Sequence, residues 1–97
     1  MSGELHAEAS AELNEAAAYL ERQRAGYGDR FIAAFDSARD FVVNHPRSGR
    51  PSLLGVRTWP VEGFAYQVVY VLKGDQVFIV AIAHHRRRPG YWRSRLR

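Results

Sequence analysis

The chain has 97 residues, of which 46% are hydrophobic and 25% are charged, and its formal net charge is +4. This composition is typical of one globular domain spanning residues 1–97, and it excludes a disordered chain. The sequence has no cysteine, which excludes disulfides and zinc–thiolate sites. No run approaches the ~20 apolar residues of a membrane-spanning helix, and no signal-type leader opens the chain, so we expect a cytoplasmic location and no membrane partner.

The first part of the chain predicts an amphipathic helix from about Ala7 to Arg24. This stretch is rich in Ala, Glu and Leu, which are strong helix formers. Apolar residues recur in it at spacings of three and four, namely Ala9, Leu13, Ala16, Ala17 and Leu20. Met1 to His6 form a candidate short edge strand ahead of this helix.

A second amphipathic helix is predicted from about Asp29, as N-cap, to Val43. Its apolar stripe consists of Phe31, Ala34, Phe35, Ala38, Phe41 and Val42. The segment Gly26-Tyr27-Gly28 separates the two helices, and Pro46 disfavours helix at the residue before it. Two helices joined by so short a turn are expected to form an antiparallel hairpin.

After a loop at Pro46 to Pro51, the apolar period changes from 3.6 to 2, which indicates strands. The candidates are Leu53 to Trp59, Phe64 to Leu72, and Val77 to Ala83, the last two joined by a tight turn at Lys73 to Gln76. Both faces of the last two strands are nearly apolar, so this hairpin is expected at the centre of its sheet. We therefore predict an α+β fold: an N-terminal antiparallel helical hairpin packed on an antiparallel sheet of three to four strands, followed by a basic C-terminal tail.

The packing of the two layers can also be predicted. Both helices are expected on one face of the sheet, and all strands are expected to be antiparallel. The stripe Phe31, Phe35, Ala38 and Val42 is expected to pack on the sheet face that holds Tyr66, Val68 and Tyr70, or on the opposite face if the register is shifted by one residue.

Charge is divided unevenly between the two halves of the chain. Residues 1–45 contain four arginines and eight acids, a net charge of −4, whereas residues 46–97 contain ten basic residues and two acids, a net charge of +8. Residues 84–97 alone hold six arginines, two histidines and two aromatics, and no acid. Arginine offers a planar fork of donors and the aromatics offer stacking faces, so this segment favours an anionic partner over a merely soluble basic surface.

Several individual residues are candidates for function. His84 and His85 are adjacent, so on a strand they face opposite ways and form a poor metal pair; no metal site is predicted. One of them could act as a general base or phosphate contact, and the alternative is that one caps the sheet while the other is solvated. Arg57 is expected on the sheet face away from the helices, near the tail arginines. Trp59 and Trp92 are candidates for core packing or partner contact.

Most familiar enzyme chemistries find no support in this chain. It has no glycine-rich phosphate loop, no serine or cysteine nucleophile in a recognisable setting, and no close pair of carboxylates; no cofactor is expected. RNA cleavage is the exception, because the 2′-hydroxyl of the RNA is the nucleophile and Arg, Lys, His and Tyr suffice as catalysts.

Several motifs follow one another in a distinctive order. They are Glu4-Leu5-His6-Ala7-Glu8-Ala9, Gly28-Asp29-Arg30-Phe31, Asn44-His45-Pro46-Arg47, Arg57, Phe64-Ala65-Tyr66-Gln67-Val68-Val69-Tyr70, and the segment 79–89, which includes His84-His85-Arg86-Arg87-Arg88-Pro89. In this order, and over nearly the whole chain, they resemble the RelE/ParE superfamily of small bacterial toxins from type II toxin–antitoxin operons. The resemblance implies a helical hairpin against an antiparallel sheet, in agreement with the prediction from the residues.

The superfamily contains two functional classes. RelE-like members cut mRNA on the ribosome, and the resemblance places their catalytic arginine at Arg86 and their terminal tyrosine near Tyr91 or Trp92. Two departures weaken this assignment. Gln67 stands where the nucleases carry an arginine, and the lysines expected on the preceding strand are absent, with Arg57 and Thr58 in that region.

ParE-like members are not known to cleave RNA and inhibit DNA gyrase instead. The strand Phe64 to Tyr70 and the His-Arg-Arg ending look more like these members. We therefore favour a ParE-like toxin, involved in growth inhibition and plasmid stabilisation, that is not an enzyme. A ribosome-dependent mRNA endonuclease is the alternative, and a nontoxic binding protein is the third possibility.

The resemblance also implies a protein partner, a small acidic antitoxin that neutralises the toxin in a hetero-oligomer. The expected target is DNA gyrase, or the ribosome with its mRNA in the alternative. The residues expected to bind target or antitoxin are Arg57, Trp59, His84, His85, Arg86, Arg87, Arg88, Trp92 and Arg93.

Overall fold

The computed structural model describes residues 3–96. Met1 and Ser2 of the candidate edge strand, and Arg97 of the basic tail, lie outside the described residues. The elements are β1 (Gly3–Leu5), α1 (Ala7–Gln23), α2 (Tyr27–Asn44), β2 (Arg50–Pro51), β3 (Arg57–Val61), β4 (Tyr66–Lys73) and β5 (Gln76–His84). Two short 3₁₀ turns, Leu53–Gly55 and Arg93–Leu96, precede β3 and follow β5. The strands form one sheet in the order β1-β5-β4-β3-β2.

The two helices form the predicted hairpin, but the start of α2 differs from the prediction. The helix begins at Tyr27, so Asp29 lies in its first turn and is not the N-cap. Gly26 occupies the N-cap position with a φ of 86°. The Glu21 carboxylate accepts hydrogen bonds from the N–H groups of Gly26 and Gly28, both at 2.9 Å. These bonds satisfy backbone donors that an N-cap side chain would otherwise satisfy, and they lower the pKa of Glu21.

The strands also differ from the prediction at one place. The β4–β5 hairpin forms as expected around Gly74, which has a φ of 61°. The predicted strand from Leu53 to Trp59 is wrong in its first half, because residues 53–55 form a 3₁₀ turn and the strand begins at Arg57. Leu54 and Gly55 have φ values of 56° and 81°, which take the backbone out of the extended conformation.

The edge strand β1 makes the sheet mixed. Its residues Gly3–Leu5 pair in parallel with Val77–Ile79 of β5, whereas all other pairs are antiparallel. The α+β fold class is therefore confirmed, with corrections to five strands and to a sheet that is not wholly antiparallel. Parallel pairing requires a long connection. Both helices and three strands separate β1 from β5 along the chain, so no tight turn forces an antiparallel direction.

Both faces of the sheet are covered. The helices cover one face, and the buried cluster there is Phe31, Phe35, Ala38, Val42, Val68, Tyr70, Val77 and Ile79 with α1 residues, while Tyr66 packs at its edge. This confirms the predicted helix stripe in the first of the two registers. The other face holds a second buried cluster of Val56, Val69, Val80, Ala81, Ala83 and Trp92. The C-terminal residues cover this second face, so they form a layer of the fold and do not extend into solvent as a tail.

Candidate functional site

The C-terminal segment, residues 85–96, folds back through successive tight turns. Backbone N–H groups of Arg87, Tyr91, Arg93 and Arg95 each donate to the carbonyl three residues earlier. Gly90 supplies a φ of 80° within this segment. Trp92 is 5% exposed and packs on the second face of the sheet, so it takes the core role that was one of its two predicted alternatives.

A carboxylate on α1 holds this segment in place. Glu12 accepts hydrogen bonds from the Tyr91 hydroxyl at 2.8 Å, from both terminal nitrogens of Arg95 at 3.0 and 2.9 Å, and from the Ile82 N–H at 3.0 Å. The side chains of Arg95 and Glu12 are 9% and 13% exposed. Glu8, one turn earlier, lies 3.2 Å from Arg95 as well. These contacts tie the helix layer, β5 and the C-terminal segment together.

The role of Glu12 was not predicted, although the sequence contains a signal for it. It lies on the same helical stripe as Ala9, Ala16 and Leu20, three residues after the first and four before the second. All three of these neighbours are buried. A charged residue within an apolar stripe requires a buried partner, because an unpaired buried charge is strongly destabilising. Arg95, one of the six arginines of residues 84–97 for which the sequence favours an anionic partner, is the partner of Glu12.

Tyr91 is the tyrosine that the resemblance to nucleases offered for catalysis. Burial raises the pKa of its hydroxyl above the ordinary value of 10, and the hydrogen bond to Glu12 raises it further. The hydroxyl is therefore neutral at physiological pH, and its proton is directed at a carboxylate of the protein itself. One face of the ring is covered by Arg87, whose guanidinium carbon lies 3.7 Å from the ring centroid.

Within the C-terminal segment, three cationic side chains remain available to a partner. Arg86, Arg88 and Arg93 are exposed, and none of them forms an ion pair with another residue of the range 3–96. All three lie at the end of β5 or in the C-terminal segment. The uneven charge of the sequence thus becomes a concentration of unpaired positive charge at one part of the surface.

The two histidines make different contacts, and only His84 belongs to β5. The ring of His84 packs edge-on to Tyr66 at 5.0 Å, and its Nδ1 accepts the Arg86 N–H at 3.0 Å. His85 is exposed, and its ring centroid lies 6.5 Å from that of His84. Across the described part of the chain, no group of three or more His, Asp or Glu residues could hold a metal ion.

The predicted orientation of Arg57 is wrong. Its partner across the sheet is Tyr70, which is buried under the helices, and directly paired residues share a face. The guanidinium of Arg57 donates to the carbonyls of Arg47 and Gly49 at 3.1 and 2.8 Å. Tyr70 donates to the Pro46 carbonyl of the same loop at 2.8 Å. Arg57 thus closes the α2–β2 loop on the helix side, away from the other arginines.

Trp59 lies on the helix face as well, two residues after Arg57. Its ring stacks on Phe41 of α2, with centroids 4.3 Å apart and planes 18° from parallel. The side chain is half-buried. Neither residue therefore reaches the exposed arginines of the C-terminal segment, and the predicted set of binding residues divides between two faces of the sheet.

A groove of about 210 Å³ opens on the second face, between the Leu53–Gly55 turn and the C-terminal segment. One wall is Ser52 and Leu53, the opposite wall is Arg87 to Gly90, and the floor is Thr58, Gln67, Val69 and Ala83. His84, His85, Tyr91 and Trp92 complete the lining. The groove therefore combines an uncharged floor, partly polar and partly apolar, with a cationic wall.

The helices offer no sign of membrane insertion: within residues 3–96, none is long and apolar enough to cross a bilayer. Among solved structures, the chain is similar to one described as "Chromosomal ParDE TA system from P. aeruginosa", with 23% identity and a TM-score of 0.65. The match covers 87% of this chain and 95% of that chain, and at this identity it establishes the fold. No curated protein matches the chain.

The family described as "ParE toxin of type II toxin-antitoxin system, parDE" matches residues 4–89. The matched range runs from β1 through both helices and the whole sheet to the cationic wall of the groove. Because it includes most of the sequence, the chain belongs to the ParE toxin family of type II toxin–antitoxin systems.

Proposed function

We propose that this toxin arrests growth by inhibiting DNA gyrase and that a small acidic antitoxin neutralises it. The observation that carries the proposal is the ParE family match over residues 4–89. The similar fold in a structure described as a ParDE toxin–antitoxin system supports the antitoxin as partner.

The chemistry of the groove favours a toxin that binds over one that cleaves RNA. Cleavage requires a group that takes the proton of the 2′-hydroxyl and cations that stabilise the transition state. The Tyr91 hydroxyl is engaged by Glu12, and the floor presents the neutral Gln67. Loss of one cation that stabilises the transition state commonly costs on the order of 10²-fold in rate. Arg86 and His85 remain as exposed candidates for catalysis.

The exposed arginines give the antitoxin an electrostatic target. Arg86, Arg88 and Arg93 have no anionic partner among the described residues, so an acidic chain gains ion pairs without breaking existing ones. Such charges accelerate encounter, while buried apolar contacts determine how long a complex lasts. An acidic antitoxin that folds as it binds, forming a hetero-oligomer with the toxin, is consistent with this surface.

The target is tested by adding the purified toxin to two assays, DNA supercoiling by gyrase and mRNA cleavage in a translating extract. We expect loss of supercoiling and intact mRNA. Co-expression with a neighbouring gene that encodes a small acidic protein is expected to relieve growth arrest.

The Arg86→Ala variant tests the nuclease alternative in the same extract. Cleavage by the wild type that disappears in Arg86→Ala would assign the chain to the ribosome-dependent nucleases and exclude our proposal. Growth arrest with neither gyrase inhibition nor cleavage would also contradict it, because the target would then be a third one.

A further inference from the structure

Two adjacent leucines are largely exposed and belong to neither buried cluster of the fold. Among the described residues, the large apolar side chains that are most exposed are Tyr19, Leu53 and Leu54, at 50%, 48% and 57%. Leu53 and Leu54 belong to the 3₁₀ turn Leu53–Gly55, called here the leucine turn. A polar pair would hold the same turn and expose less apolar surface to water.

The backbone of the leucine turn is strained as well. Leu54 has a φ of 56° and a ψ of 29°, and within residues 3–96 it is the one non-glycine residue with a positive φ. This left-handed conformation costs free energy for any side chain with a Cβ and suits glycine or asparagine. Strain of this kind is found where a side chain is presented for a function, so both the exposure and the backbone point to a contact made by these leucines.

The leucine turn lies beside the groove and its cations. Leu53 forms one wall and Arg88 lies on the other. A Cβ placed on Gly90 would lie 3.7 Å from both the Leu53 Cδ1 atom and the Arg93 Nη2 atom. The leucine and the Arg93 guanidinium therefore meet at Gly90, and an apolar projection stands next to two cations that have no anionic partner in the described chain.

We propose that the leucine turn and the adjoining groove form the docking surface for an acidic segment of the toxin's protein target. An apolar side chain of that segment packs against Leu53 and Leu54, while its carboxylates pair with Arg88 and Arg93. The inference rests on the proposed function in one respect, namely that the target is a protein.

Nucleic acid fits this surface less well than protein does. Single-stranded nucleic acid is held by aromatic side chains with an open face. Trp92 is 5% exposed, and the ring of Tyr91 carries the Arg87 guanidinium. Exposed leucines, by contrast, offer no stacking face for a base and gain by burial against an apolar protein side chain.

The size of the surface favours the target over the antitoxin. A stable protein–protein interface buries about 800 Å² on each partner. A groove of about 210 Å³ and two leucines admit only a few side chains, which suits a transient contact more than the tight complex that neutralises a toxin.

The test is the double variant Leu53→Ser/Leu54→Gly in the gyrase supercoiling assay. Glycine at position 54 removes the backbone strain, so the variant is expected to fold, which circular dichroism and thermal unfolding will verify. We expect its half-inhibitory concentration to rise about tenfold or more, the loss typical of a central interface residue. The matched control is Tyr19→Ser, an equally exposed apolar residue on α1, for which we expect wild-type inhibition.

A second variant, Arg93→Glu, leaves the leucines intact and is expected to lose inhibition to a similar extent. It decides the outcome if the double variant does not fold. If the double variant folds and inhibits gyrase as the wild type does, the docking surface is overturned. If the double variant does not fold, wild-type inhibition by Arg93→Glu overturns it.

Failure of the proposed function can be told apart from failure of this inference. If the wild type leaves gyrase active, growth arrest in cells replaces supercoiling as the readout, with the same variants. Arrest lost in Leu53→Ser/Leu54→Gly but kept in Tyr19→Ser supports the docking surface for another target, and arrest kept in both overturns it. For the Leu53→Ser/Leu54→Gly variant, calorimetry with the antitoxin and anisotropy with a labelled single-stranded oligonucleotide must give wild-type affinities, because a tenfold loss in either would assign the leucine turn to that ligand.

Discussion

At the scale of single residues, Glu12 is the side chain on which the C-terminal segment depends. Its two oxygens accept four hydrogen bonds, from Tyr91, Ile82 and the two terminal nitrogens of Arg95. Paired charges that are largely buried leave a costly unpaired charge when one partner is removed. Glu12 thus stabilises the fold and also fixes Tyr91, on which Arg87 stacks.

Replacing Glu12 with alanine is expected to lower the free energy of unfolding by about 3 kcal/mol. The Tyr91 hydroxyl then loses its acceptor, and Arg95 keeps only the Val80 carbonyl and the exposed Glu8 as partners. Urea unfolding followed by circular dichroism measures the change. Glu15→Ala on the same helix is the control, since Glu15 is exposed and surface substitutions usually change stability by less than ~0.5 kcal/mol. Equal stability of the two variants would show that Glu12 does not stabilise the fold.

At the scale of elements, the joint between the helices depends on one close approach. A Cβ on Gly28 would lie 2.6 Å from the Ala17 carbonyl oxygen and 3.1 Å from the Cβ of Glu21. Gly28 has an ordinary helical conformation, so its role is steric. The absence of a side chain there lets α2 begin directly against α1, where the Glu21 carboxylate reaches the first N–H groups of α2.

Gly28→Ala is therefore expected to destabilise the protein by about 2 kcal/mol, because the added methyl group forces the helices apart. Gly26→Asn, two residues away, is the matched control. Gly26 has a positive φ, which asparagine tolerates. No atom lies within 4 Å of the position that a Cβ would take there. Thermal unfolding of both variants checks the difference, and a Gly28→Ala protein as stable as wild type would contradict the steric argument.

At the scale of the whole molecule, the fold has three layers. The helices lie on one side of the sheet and the C-terminal segment on the other. Trp92 is the largest side chain of the second cluster, and with Leu96 and Tyr91 it shields β-strand residues that would otherwise be an exposed apolar surface. The same segment carries Arg88 and Arg93, so packing and the partner contacts that we propose share one short stretch of chain.

Trp92→Ala is expected to cost about 3 kcal/mol of stability, the value for removing a buried tryptophan, and to increase the binding of a dye specific for apolar surface. Ser94→Ala, an exposed neighbour, serves as the control for both measurements. Unchanged dye binding in Trp92→Ala would mean that the C-terminal segment does not shield the second face.

The sequence alone determined whatever depends on local patterns. The helical stripes, the Gly74 turn and the alternation of β4 and β5 repeat over many residues, so single exceptions do not obscure them. These elements predict the α+β fold, and the order of the motifs indicates the toxin superfamily.

Only the tertiary structure decided which charged residues are paired within the protein and which are available to other molecules. Arg95 and Arg93 are two residues apart in one basic stretch, yet Arg95 lies against Glu12, 83 residues away in sequence, and Arg93 is exposed. Arg57 likewise lies on the helix face because it pairs with Tyr70 of β4, which is buried under the helices. Contacts of this kind depend on distances between segments that are remote in the chain, and no local pattern of residues encodes those distances.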